Sequence, residues 1–214
     1  MELEEPYELP MFPLGSVLVP GAALPLHVFE PRYRAMVRDV VATPEQELGV
    51  VLITRGSEVG GGDVRTDVGT VARVLRAEEL EDGRWGLLCG GDRRIRVVEW
   101  LPDDPYPRAL VADWPDEEPP AGTAPALAAR RDEAAALLRQ ALALAAELGD
   151  PAPPATIEVH DDPVVASHQI AALAPVGPVD RQALLLARGP AERLELLVEV
   201  LSGAVELQRG RLGM

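Results

Sequence analysis

Asp113-Trp114-Pro115-Asp116-Glu117-Glu118-Pro119-Pro120 decides how this chain is divided. The stretch mixes acids with prolines that donate no backbone hydrogen bond, so it reads as a linker. Before it, residues 9 to 114 are short β-type runs punctuated by Gly and Pro. After it, residues 123 to 209 read as helices rich in Ala and Leu. Strands followed by helices predict an α+β chain. The boundary is set near Pro119, giving a β-barrel subdomain over 1–118 and a helical subdomain over 119–214.

Working back from the linker, Ala109 and Val111 alternate with Leu110 and Ala112, and Ile95 and Val97 with Arg94, Arg96 and Val98. Asp82-Gly83 supplies a tight hairpin turn between a strand at Thr66 to Leu75 and one at Arg84 to Cys89. Leu48 to Ile53 is a continuous apolar run of strand length. Leu24, Leu26 and Val28 alternate with Pro25, His27 and Phe29, and Pro25 makes that strand an edge or a bulge. Pro31 then opens a short helix whose Tyr33, Met36, Val37 and Val40 form one apolar stripe. The alternation rule counts about six strands, enough for a small barrel with this helix packed against it.

Working forward, a long helix spans about Ala124 to Leu148 and stops at Gly149 before Pro151. Two shorter helices are predicted near Val164 to Leu173 and Val179 to Arg188. A final one starts at Pro190 with a Leu194, Leu197, Val198, Leu201, Val205 stripe. Together they predict a helical bundle.

The 214 residues are 47% apolar and 26% charged, typical of a globular chain with a sizeable core. All twenty basic residues are Arg; there is no Lys and no Asn. The net charge is −15, acidic on both sides of the linker, which opposes DNA or RNA as a partner. One cysteine, Cys89, cannot form an internal disulfide, and Met1-Glu2-Leu3-Glu4-Glu5 has no signal-peptide pattern, so a cytoplasmic protein is expected. The most apolar helical stretch, Ala134 to Leu148, is broken by Arg139, Gln140 and Glu147, so no membrane helix is expected.

Leu9-Pro10-Met11-Phe12-Pro13-Leu14, Val19-Pro20-Gly21 and Leu24-Pro25-Leu26-His27-Val28-Phe29-Glu30-Pro31-Arg32-Tyr33 occur in the order seen at the start of the Lon protease amino-terminal domain. Val68-Gly69-Thr70-Val71-Ala72-Arg73-Val74, the Gly83 to Trp85 turn, Gly90-Gly91-Asp92-Arg93-Arg94-Ile95-Arg96-Val97 and Pro105-Tyr106-Pro107-Arg108-Ala109 continue the series. On these pieces the chain resembles the Lon substrate-binding domain family. The resemblance covers about half the chain strongly and the helical remainder more weakly. It implies a PUA-like pseudo-β-barrel followed by an α-helical bundle, a module that in the full protease helps recognise unfolded or tagged proteins. A Walker A loop needs a Lys on the phosphates and the Lon peptidase a Ser-Lys dyad, so a chain without Lys has neither. A stand-alone, non-enzymatic relative without cofactor is expected, and Gly60-Gly61-Gly62 is expected to be a loop.

Candidate chemistry elsewhere is sparse. His160-Asp161-Asp162 and His168 suggest a metal site, but their spacing matches no standard zinc pair, and Asp162 before Pro163 is helix-cap chemistry. Cys89 lies in an apolar strand, where an inert buried thiol is expected. Ser16, Ser57, Ser167 and Ser202 lack a nucleophile-elbow setting. Arg93, Arg94 and Arg96 are expected to pair with nearby acids such as Glu81, Asp82, Asp92 and Glu99. Most aromatics, Phe29 among them, are expected in the core, whereas Trp85, beside the hairpin turn, is expected to be exposed and to bind.

The leading expectation is therefore a protein-binding module that takes an unfolded or extended segment in a cleft between barrel and helices. Its contacts are expected at Trp85 and Tyr106, assisted by edge-strand pairing near Pro25. His27, facing outward on that strand, is expected to contribute a hydrogen bond. The alternatives are a PUA-like small-ligand or RNA-binding domain, which the charge opposes, and a metal-dependent enzyme on His160 and His168. Partner identity and oligomeric state are left open.

Overall fold

The computed structural model of the chain describes residues 5–56, 58 and 62–213. Ser57, Gly60 and Gly61, and the first four residues, lie outside them. The described residues form six strands and five helices, and the chain divides into two compact units between Pro115 and Asp116.

In the first unit the strands are β1 (Tyr7–Leu14), β2 (Ala23–Val28), β3 (Glu47–Arg55), β4 (Val64–Glu79), β5 (Trp85–Leu101) and β6 (Arg108–Asp113). The strand order is β2-β5-β4-β3-β1-β6, and β5 also pairs with β6. That extra pairing closes β5, β4, β3, β1 and β6 into a barrel and leaves β2 attached to β5 alone. All pairings are antiparallel except β1 with β3.

The count of six agrees with the sequence reading, but two strands differ. β1 breaks the alternation rule through Pro10 and Pro13. Its first half, Tyr7 to Pro10, pairs with β6 and its second half, Met11 to Leu14, with β3. A half-strand with one unpaired side tolerates a residue lacking its N–H. β5 runs unbroken through Gly90-Gly91-Asp92, where the sequence suggests two strands. Glycine is required at Gly91 because a Cβ there would sit 2.3 Å from the Val19 carbonyl oxygen. The Gly91 N–H meanwhile donates to Ala22. These glycines let the segment before β2 cross over the strand instead of ending it.

The barrel interior is filled by Met11, Val51, Val71, Ile95 and Val111, while Phe12, Leu48, Val50, Ala72 and Cys89 form a second cluster on the other face of the sheet, as the neighbouring pairs Met11/Phe12, Val50/Val51 and Val71/Ala72 require. Helix α1 (Pro31–Ala42) covers the second with Tyr33, Met36, Val37 and Val40. Pro31 starts it, and the Thr43 N–H and hydroxyl both donate to the Val40 carbonyl at its end. Outside the core, Arg93 of β5 ties three other strands together. It donates to Glu47 of β3, Asp113 of β6 and the Tyr7 hydroxyl of β1 at 2.8–3.0 Å, besides Asp92. Arg94 and Arg96 stack on Trp114, 4.3 and 4.6 Å from its ring centre.

The second unit holds α2 (Ala124–Glu147), α3 (Pro163–Leu173), α4 (Pro178–Leu186) and α5 (Pro190–Leu212). Each opens with a proline in its first turn, where the missing N–H costs nothing. Asp162 caps α3 by accepting from the Val164 N–H at 2.8 Å, and Gly149, at φ +76°, follows the end of α2. Leu138, Leu142, Ile170, Leu184, Leu194, Leu197 and Leu201 form the core.

Asp116 and Glu117 belong with these helices. The Asp116 carboxylate receives the fully buried guanidinium of Arg193 at 2.6 and 2.9 Å, and the Glu117 N–H donates to the Arg188 carbonyl. Arg193 also donates to Ser167 and to the Leu184 carbonyl. Among the described residues no helix is long and apolar enough to cross a membrane.

Candidate functional site

β2 has a hydrogen-bonded neighbour on one side only, so its other edge is open among the described residues. Its alternation turns Leu24, Leu26 and Val28 toward the barrel and leaves Ala23, Pro25 and His27 exposed. Cross-strand partners share a face. The exposed residues of β2 therefore stand beside Gly90, Leu88 and Gly86 of β5. Leu88 is exposed, and so is Leu75, the residue at the irregularity where β4 shifts register against β5. Leu75 lies over Gly90, 3.3 Å from where a Cβ would stand. The result is an exposed apolar strip on the outer face of the sheet, running to its open edge.

Phe29 follows β2 directly and is 55% exposed. It stands at a groove of about 170 Å³. Leu14, Leu26 and the stacked Phe12–Tyr33 pair, with ring centres 4.4 Å apart, also line this groove, together with His27, Glu30 and Glu58. Arg32 covers the Tyr33 ring at 4.4 Å. Burial pushes the Tyr33 phenol up to about 12.

A second groove, of about 370 Å³, lies between β1 and the last turns of α1. Tyr106 lines it and donates its hydroxyl to Asp39 at 2.8 Å. Burial first, and that hydrogen bond second, raise the Tyr106 phenol to about 12. Tyr7, on the opposite strand, donates to Asp113 at 2.6 Å.

The sequence-predicted residues are separated by this arrangement. His27 is exposed and lines the first groove, and Tyr106 lines the second with its ring mostly buried. Trp85 is not exposed: at 9% accessibility it packs inward, opposite Val28 and on the same face as buried Leu87 and Cys89. Its hairpin position suggested a surface residue, but the pleat turns it into the core. Phe29 is the converse, an aromatic assigned to the core that stands open. The signal was present in the alternation, since Phe29 shares its phase with Pro25 and His27.

The other chemical candidates have structural duties. His160 Nδ1 accepts from the Asp162 N–H at 3.0 Å, while His168 Nε2 lies 3.4 Å from Asp116, so the two histidines serve different contacts. No group of three potential metal ligands occurs among the described residues. Ser167 donates to the Val164 carbonyl and accepts from Arg193. Cys89 is fully buried, and burial lifts its thiol to about 11.

A barrel with one open-edged strand, followed by a helical bundle, is a two-part α+β architecture. The chain belongs to the ATP-dependent protease La (LON) substrate-binding domain family, whose model matches residues 8–203. A Lon protease 2 from Herpetosiphon aurantiacus is 30% identical over 204 residues, covering 94% of this chain and 24% of that protein. A Lon protease from Anaeromyxobacter dehalogenans is 38% identical over 109 residues, 50% of this chain and 13% of that protein. The chain thus spans a quarter or less of these relatives. A Lon N-terminal domain protein from Xanthomonas campestris superposes with a TM-score of 0.62 at 29% identity, covering 90% of this chain and 98% of that one. The N-terminal domain of a Mycobacterium avium complex Lon protease shares the fold, with a TM-score of 0.66 at 17% identity, covering 92% and 98%.

Proposed function

We propose that this chain holds unfolded or extended protein segments and performs no catalysis itself, its barrel acting as a PUA-like platform. The observation that carries the reading is the open edge of β2 with Phe29 standing free beside it. An extended segment laid along that edge gains main-chain hydrogen bonds, and its apolar side chains bury against Phe29, Leu26 and the Leu75–Leu88 strip. Pro25 removes a donor from the middle of the edge, which blunts self-pairing and leaves side-chain burial as the main source of affinity. Family membership supports a substrate-binding role, and the absence of Lys leaves these 214 residues without a P-loop or a Ser-Lys dyad. The setting this reading implies is cytoplasmic protein turnover, with protein segments and not nucleic acid as partners, given a net charge of −15.

The test is Phe29→Ala measured against a permanently unfolded, alkylated model protein. Loss of a half-exposed ring that becomes buried on binding is expected to weaken affinity about tenfold, or about 1.4 kcal/mol. The melting temperature should stay within a degree or two, because Phe29 is not core. Unchanged affinity with unchanged stability removes Phe29, and this groove, from the binding surface.

A further inference from the structure

The groove between β1 and α1 differs from the Phe29 groove in its electrostatics. Pro10 and Val40 contribute apolar walls, Tyr7 and Tyr106 aromatic ones, and Asp39 and Glu45 stand exposed at its border. The other two lining carboxylates are already neutralised, Glu8 by Arg108 and Glu47 by Arg73 and Arg93. Asp39 accepts only the neutral Tyr106 hydroxyl, and Glu45 has no basic partner among the described residues. Helix α1 ends against this groove with no basic residue in its last turn, so the partial negative charge of its carbonyl end adds to theirs. Aromatic walls, apolar surface for a methylene stem and uncompensated negative charge are complementary to one chemistry, a long cationic side chain.

We infer that this groove receives an Arg or Lys side chain of the polypeptide the domain holds, which gives the domain a preference for basic, apolar segments. The inference rests on the protein-binding reading and adds a second contact point on the same unit. Arg is favoured over Lys because its planar guanidinium stacks on a tyrosine while bonding a carboxylate.

The experiment uses the full chain and two rhodamine-labelled decapeptides, one of alternating Leu and Arg, the other with citrulline in place of Arg. Citrulline keeps the shape and removes the charge. The Arg peptide is expected to bind about fivefold or more tighter, an advantage that fades between 0.05 and 0.5 M salt. Asp39→Asn with Glu45→Gln should abolish the difference between the peptides, weakening the Arg peptide several times more than the citrulline peptide. Both side chains are exposed, so the melting temperature is the check on folding, and the salt series on the unmodified protein stands if the variant is destabilised. Equal affinity of the two peptides overturns the cation site and leaves the protein-binding reading intact. An Arg preference that survives the double substitution places the cation contact elsewhere and also overturns it. If neither peptide binds, the protein-binding reading falls as well.

Discussion

Replacing Arg193 by Met removes the only fully buried guanidinium among the described side chains while keeping most of its volume. The loss is worked from its contacts: two bonds to Asp116 at 2.6 and 2.9 Å, one to Ser167 at 2.9 Å and one to the Leu184 carbonyl at 3.2 Å. Asp116 has only 13% of its side chain exposed, so its carboxylate cannot recover solvation when the guanidinium leaves. Breaking one side of a buried pair costs about 3–5 kcal/mol. For a unit of about 100 residues this corresponds to a fall in melting temperature of roughly 15–30 °C. Ellipticity at 222 nm reads the effect directly, because the helices surround the cluster and dominate that signal. The companion variant Arg193→Met with Asp116→Leu removes both charges and should cost less than Arg193→Met alone, since apolar replacement of a whole buried pair is often near neutral. A wild-type melting temperature for Arg193→Met refutes the reasoning, as does a double variant whose cost equals the sum of the single ones.

Trp85→Ala should cost about 3–5 kcal/mol of barrel stability in urea unfolding, as for a core aromatic. Trp85→Phe should cost much less, because the buried indole N–H has no acceptor to lose; equal penalties would show that the N–H is satisfied. Tyr33 and Tyr106 are each raised to about 12 from the ordinary value of 10, so their contribution is complete below pH 10 and is lost as pH rises toward 12. Each should steepen alkaline unfolding by up to about 1.4 kcal/mol per pH unit in that window. Tyr106→Phe should flatten the slope, and an unchanged slope would mean that the phenol is not held neutral.

The helical unit was legible because its punctuation is local: prolines in first turns and Gly149 before Pro151 set boundaries that the structure moves by only a residue or two at most ends. The barrel was legible wherever a strand alternates, and was misread where prolines or paired glycines interrupt the pattern, in β1 and in the middle of β5. For the site, parity along the strand carried more information than residue type or proximity to a turn. It puts Phe29 out with His27, and Trp85 in with Leu87 and Cys89. The second groove had no such signal. It joins Asp39 to Tyr106 across 67 positions of sequence, a juxtaposition that closure of the barrel creates.

The pairing of β1 with β6 sets an order of events during synthesis. Tyr7 lies opposite Val111, so the first strand of the barrel waits for its last before the ring can close. Until β6 joins, β1 to β5 form an open sheet whose inner face, with Met11, Val51 and Ile95, is left uncovered. Such a nascent sheet exposes the kind of surface that a chaperone holds or a neighbouring chain captures. Slowing translation while Arg108 to Asp113 are still held inside the ribosome should therefore lower the soluble yield far more than slowing it once they have emerged.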